Sequence, residues 1–417
     1  MAKVICTELQ KEGASGPNIT LDTSKNVTCE NNLTVDGATT LTGTVTGDND
    51  TLSHRNIIVN GACQIAQRGS STTANKFLVD RWRLSYGDHN ETPTQSHHAL
   101  TSSDTGPWEK GFRRSYHVQN GNQTDAVSAT DRLYTEYRIE ARDIANSGWD
   151  YHEPTSYLTM SFWVKASVAQ TYYVCVHTFD GTAKMYSFAY TLAANTWKHI
   201  THSIPGHADL TFDDNNVKGM TISFEIFRGT NYTHSGATNG SWRASDGGAV
   251  SLDQTSTVWS TNDSTWEATG FQLEVGSTAT EYEHRSYGDE LARCQRYYYM
   301  HVTHTASDPD DKHSLGQGAY YTSTEIVSNV SFPIAMRAKP TLESTNSSTG
   351  GGAFVAYRDG TSDFFNLFYG NKMEYTHGEI HNSEASQISG TAGHGCLLRL
   401  NQDAGDGTKL AFSAEFG

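Results

Sequence analysis

FQLEVGSTATEYEHRSYGDELARCQRYYYMH, residues 271–301, is the stretch on which the reading of the fold turns. Phe271, Leu273 and Val275 alternate with Gln272 and Glu274 and stop at Gly276, the pattern of a half-buried strand closed by a turn residue. Further on, Asp289 and Glu290 sit early and Arg293 and Arg296 late, which suits the dipole of a short helix. Leu291, Cys294, Tyr297 and Tyr298 share one helical face. The stretch therefore predicts a last strand, a connection and a linking helix over 286–300. That helix joins two β-rich bodies, 56–285 upstream and 301–417 downstream.

Composition agrees with an all-β chain. Only 18% of the 417 residues are charged, below the usual quarter, while Gly (37) and Tyr (21) are frequent. The net charge of −16 repels a phosphate backbone and no basic run offsets it, which excludes nucleic acid as a partner. The opening MAKVICTELQKEGASGP has no apolar core, and no later run approaches the ~18 apolar residues of a membrane span. The expectation is a protein without signal peptide or membrane insertion, made and assembled in a cytoplasm. Cys6, Cys29, Cys63, Cys175, Cys294 and Cys396 are scattered without a C-x-x-C pair, so buried thiols are expected rather than disulfides or zinc ligands.

Residues 1–55 lack a core of their own. Ile19, Leu21, Val27, Leu33, Val35, Leu41 and Val45 are separated by Asn, Asp, Gly and Thr, a loose repeat of short strands and polar turns. Such a segment is either a disordered leader or is ordered by neighbours, as three chains wound together would provide. Residues 56–285 read as a two-sheet jelly-roll sandwich. Its strands are predicted in IIVN, FLVDRWRLSY, RSYHVQN, YTEYRIE, YLTMSFWVKAS, TYYVCVHTF, MYSFAYTL, WKHITHSI, GMTISFEIF and ATGFQLEV. Residues 301–417 read as a smaller distal β domain, with Phe364, Phe365, Phe368 and Tyr369 as core or a contact patch.

Five aromatics stand in polar, glycine-rich stretches that read as loops: Trp108 in SDTGPWEKG, Trp149 and Tyr151 in NSGWDYHE, Tyr232 and Trp242 in RGTNYTHSGATNGSWRASDGG. An exposed aromatic ring can stack on the C–H face of a sugar while nearby polar groups bind its hydroxyls. These five are the candidate glycan-binding residues; the alternative is that each pins its own loop. Catalytic patterns are lacking. Asp213-Asp214 and Asp308-Asp310-Asp311 read as solvated turns, and His97-His98 with His199 and His202 lack a third ligand at zinc spacing. No G-x-S-x-G elbow or phosphate loop is present. The chain is expected not to be an enzyme and to carry no catalytic cofactor.

Four segments in order carry a family resemblance: NIIVNGACQIAQRGS at 56–70, LVDRW at 78–82, the R-x-Y-G-x-E-L-x-x-C-Q-R-Y-Y run that follows LEVG, and VSFPIAMRAKPTL at 330–342. Together they resemble bacteriophage tail-fibre and receptor-binding proteins. SFWVKAS followed by NTWKHITHSIP further resembles carbohydrate-binding-module sandwiches, which implies core positions for Trp82, Trp163 and Trp197. The resemblance implies a viral protein: a homotrimeric tail fibre of the virion that attaches to the host by receptor binding, its partner a bacterial surface glycan. Residues 1–55 would anchor it to other virion proteins. Related sugar-binding sandwiches often hold a structural Ca²⁺, and Glu274 lies near a strand end, although no ligand set can be assigned. Two other roles stay open: a structural adaptor or head fibre, and a polysaccharide depolymerase.

Overall fold

In YLTMSFWVKA (Tyr157–Ala166) alternation settles which side chains go inward: Leu158, Met160, Phe162, Val164 and Ala166 are all buried. This strand lies second in a six-stranded antiparallel sheet ordered Lys198–Pro205, Tyr157–Ala166, Thr265–Val275, Arg114–Gln119, Thr94–Ala99, Ser71–Thr72. Facing it is a second six-stranded sheet, ordered Ser241–Ala244, Lys184–Thr191, Thr171–Thr178, Lys218–Arg228, Arg132–Glu140, Trp82–Gly87. Between them lies a core in which Trp82 meets Phe271 at 4.0 Å and Phe162 meets Phe224 at 5.1 Å. The fold is all-β.

The computed structural model describes residues 55–417 apart from 247, 249, 305–312, 347–351 and 402–403, together with three short strands nearer the N-terminus. The chain divides into two units, Met1–Gly47 and Asp48–Gly417. In the first, Glu8–Leu9, Ile19–Leu21 and Val27–Cys29 form one antiparallel sheet. The stalk expected over the rest of 1–55 lies outside the described residues, as does Asp308-Asp310-Asp311. Cys63, Cys175, Cys294 and Cys396 are free, buried thiols.

The C-terminal portion has a separate core around Phe354, Phe365, Leu398 and Phe412. It holds a seven-stranded sheet and a three-stranded one, the latter with Lys409–Ser413 paired between Tyr298–Thr303 and Thr341–Thr345. FFNLFYG divides: Phe365 and Phe368 are core, while Phe364 and Tyr369 are exposed.

Several expectations are corrected. The helix spans Tyr287–Gln295, capped by Ser286 accepting from the Asp289 amide, and the chain is already a strand at Tyr298. IIVN forms no strand; its segment is tied to Thr265–Val275 by two isolated backbone bonds, from the Ile57 amide to the Leu273 carbonyl and from the Phe271 amide to the Gly61 carbonyl, and by side chains. The Asn56 carboxamide bonds the backbone at Phe271 and Leu273, and that of Asn60 bonds the backbone at Ile65 and Asp80. Thr94–Ala99, TQSHHA, is an unpredicted strand because its inward residue is polar. Gln95 is fully buried, accepts from the Tyr116 hydroxyl and donates to the carbonyls of Ala74 and Lys76. Trp242 lies on the Ser241–Ala244 strand rather than in a loop.

Residues of the motifs at 56–70, 78–82, 285–298 and 330–342 meet at one buried polar junction. Glu290 accepts from the Asn60 amide, and Gln67 donates to Asp80 and to the Tyr298 carbonyl. Arg81, fully buried at φ 75°, pairs with Glu415 and lies 3.5 Å from the Tyr297 ring centre. Left-handed backbone is strained for arginine, and here it aims the guanidinium into the junction. Arg296 grips Glu140 through two bonds of 2.8 and 2.7 Å, and Arg337 reaches the carbonyls of Ala414 and Asn216. These charges join the sandwich to the distal strands.

Candidate functional site

Parity along Tyr157–Ala166 that sends Phe162 and Val164 inward sends Ser161, Trp163 and Lys165 to the outer face. Register with the neighbouring strand sets Thr201 beside Ser161 and His199 beside Trp163, whose rings lie 5.0 Å apart. On the other side, Thr265–Val275 carries an extra residue between Thr269 and Gln272, where Gly270 has φ 68°. A Cβ there would come within 2.6 Å of the Phe112 ring, so this bulge requires glycine. Ser161, Trp163, His199, Thr201 and Gly270 thus floor a groove of about 880 Å³.

Residues 109–112, 279–282 and His284 line the rest of the groove. Lys110 Nζ lies 3.1 Å from Glu281 Oε1, and His284 Nε2 donates to the Lys110 carbonyl at 2.9 Å. Phe112 and Tyr282 meet edge to face at 4.9 Å. The loop bearing residues 109–112 is held to the sheet by charge. Asp104 Oδ1 accepts from Lys165 Nζ and from the Trp197 indole, each at 3.0 Å, and Lys165 also contacts Glu267 at 3.0 Å. Glu267 takes a further bond from Ser115 at 2.6 Å and sits 2.8 Å from His98.

Burial would raise both carboxyls, but the donors outweigh it. The Thr101 amide, Trp197 and Lys165 hold Asp104 down to about 2, and His98, Ser115 and Lys165 do the same for Glu267. Neither can serve as a general acid near neutrality. Burial depresses His199, which makes its ring a neutral neighbour for Trp163. The site therefore offers aromatic surface, hydroxyls and exposed charge in one groove. That combination suits a flat, hydroxyl-rich ligand.

Glu274 does not fit a Ca²⁺ site. It is buried and already accepts from the Thr280 amide and hydroxyl and from Gln272, with Arg55 at 3.7 Å. Among the described residues no group of three or more His, Cys, Asp or Glu side chains is arranged to hold a metal.

None of the five aromatics expected from the sequence lines this groove. Trp149 is 3% exposed and packs in the main core beside Tyr151 and Phe212, so it presents no ring to solvent. Tyr151 is half-buried against Phe212 at 5.1 Å. Trp242 donates to the Pro205 carbonyl at 2.7 Å and packs on Tyr186. The Tyr232 hydroxyl accepts from Arg132 at 2.7 Å, and Arg113 covers a face of Trp108 at 3.7 Å. Each of the five makes contacts within the chain, Trp149 inside the core and Trp242 on a strand. Trp82 is core as expected, whereas Trp163 and Trp197 are half-buried on the outer face. The parity of SFWVKA already carried that signal.

No family model and no curated protein matches the chain. Among solved structures, a CBM4 structure is 13% identical with a TM-score of 0.26, over 52% of this chain and 97% of the other. The family 11 carbohydrate-binding module of a cellulosomal cellulase of Clostridium thermocellum is 15% identical with a TM-score of 0.23, covering 49% and 91%. A proposed sugar-binding protein from Bacteroides thetaiotaomicron is 11% identical with a TM-score of 0.30, covering 54% and 100%. Likeness this slight leaves the function to be argued from the chain's own residues.

Proposed function

We propose that this protein binds a polysaccharide in the groove floored by Trp163 and His199, and that it does so as the adhesive part of a bacteriophage tail fibre. The observation that carries the binding reading is Trp163 itself, a large aromatic placed outward in a groove of about 880 Å³ among Ser161, Thr201 and exposed charged groups. A sugar ring would stack on the indole while hydroxyls and the Lys110–Glu281 pair take its polar edge. The fibre reading is supported by the four ordered motifs at 56–70, 78–82, 271–298 and 330–342. In a trimeric fibre, three weak sites acting together would raise avidity by about two to four orders of magnitude. The reading is non-enzymatic: half-buried Asp104 and buried Glu267, beside the groove, stay ionised and serve as anchors for the loop.

The test is retention of the full chain on a panel of immobilised bacterial surface polysaccharides, with Trp163→Ala alongside. Saturable binding to at least one polysaccharide, lost in the variant, is expected. Equal retention of both proteins moves the site elsewhere. Absence of retention on any polysaccharide points to a structural part of the particle, and release of shortened chains would make it a depolymerase.

A further inference from the structure

The opposite sheet carries a cavity of its own, independent of the groove and of its reading. It measures about 150 Å³ and lies over Lys218–Arg228, Thr171–Thr178 and Arg132–Glu140. His177, Phe179, Lys218, Thr221 and Ser223 line it beside Glu136. Register sets Thr221 directly between His177 and Arg138, on the outer face. Thr221 is only 7% exposed, and its hydroxyl has no hydrogen-bond partner among the described residues. A buried hydroxyl without a partner costs stability unless something else satisfies it.

Charge at this cavity runs against that of the chain as a whole. Glu136 is shared by two guanidiniums, Arg83 and Arg138, at 2.8 Å each. Glu225 is consumed by Arg228, and Asp246 by Arg243 and His234. Lys218 is left with its Nζ 3.6 Å from the Phe179 ring centre, and no carboxylate stands at ion-pair distance among the described residues. Two groups here are lowered chiefly by burial, with neighbouring cations adding to it and Glu136 and Asp246 opposing. Burial lowers Lys218, with Arg138 and Arg83 adding to it; burial, Lys218 and Arg243 bring His177 down to about 4. An ammonium, an unpartnered hydroxyl and a neutral imidazole thus converge on a space the size of a small acid group.

We propose that this pocket binds an anion, the carboxylate, sulfate or phosphate group of a sugar acid or sugar ester, with Lys218 as its charge partner and Thr221 as hydrogen-bond donor. An acidic substituent on a surface glycan and a free inorganic anion share this chemistry.

Thermal melts of the full chain in sodium sulfate, sodium phosphate, methyl glucuronide and methyl glucoside, at ionic strength matched with sodium chloride, separate the cases. Lys218→Met keeps the stem over Phe179 and removes the charge; Thr221→Val removes the hydroxyl. Saturable stabilisation of the native chain by sulfate or methyl glucuronide is expected, with apparent affinity weakened about ten-fold or more in Lys218→Met and less in Thr221→Val. A response to methyl glucuronide assigns the pocket to sugar acids. A response confined to sulfate and phosphate assigns it to esters or free anions. Identical curves for native chain and Lys218→Met, or an equal response to methyl glucoside, overturn the proposal. Trp163→Ala leaves these curves unchanged.

Discussion

The junction and the groove are built from the same materials and use them oppositely. Both gather arginine or lysine, carboxylates and aromatic rings. At the junction, Arg81, Asp80, Glu140 and Glu290 are buried and paired within the chain. In the groove, Trp163, His199 and Thr201 face open space, and Glu281 is 84% exposed on its side chain. A charge closed in on its partner holds parts together; a polar group left facing a groove is free to choose a partner. The difference predicts that junction substitutions act on stability and groove substitutions on binding.

The largest effect is expected from Glu415→Ala. It leaves Arg81 buried without its carboxylate, at a cost of about 3–5 kcal/mol, read as a shift in the chemical denaturation midpoint. A double change to Arg81→Met and Glu415→Leu sharpens the point, because removing both charges should restore much of the loss. If the single variant is as stable as the native chain, the junction is ornamental and the comparison fails.

Next in size is Trp163→Ala, expected to weaken polysaccharide binding by about ten-fold or more while the denaturation midpoint moves far less than for Glu415→Ala. Titration calorimetry beside denaturation would expose the reverse pattern.

A smaller effect follows from Asp104 and Glu267. Both are held near 2, below their ordinary 3.8 and 4.5, so their contribution to stability is complete above about pH 5 and is lost as pH falls towards 2. The difference in stability between the native chain and Glu267→Gln should close over that interval. His98 is raised by its bond to Glu267, so its contribution is present below its ordinary 6.5 and fades as pH rises through the raised value. Smallest is Lys110→Ala, which removes an exposed pair worth a few tenths of a kcal/mol.

Much of the sandwich was legible because its strands alternate over eight to eleven residues, as in Tyr157–Ala166 and Lys218–Arg228. Thr94–Ala99 was not, since an inward Gln95 satisfied by Tyr116 carries no apolar signal. The groove was half legible. Parity alone puts Trp163 outward, but a resemblance that made it core outweighed the count. The Trp149 loop misled because polar surroundings in sequence do not forbid burial: Trp149 sits among Asn, Ser and Gly and still reaches the core. The junction was beyond reach, since Arg81 and Glu415 meet across 334 residues and no local pattern announces the pairing.

The strand Lys409–Ser413 lies in the middle of its sheet, between Tyr298–Thr303 and Thr341–Thr345. On a ribosome it emerges more than a hundred residues after the sandwich is complete. Until then Tyr298–Thr303 and Thr341–Thr345 have no common partner, and Arg81 waits without its carboxylate. The sandwich can fold as it is made, but the distal sheet and the junction must close together in one late step. A stalled nascent chain ending before residue 409 would therefore be a folded sandwich carrying an unfinished base.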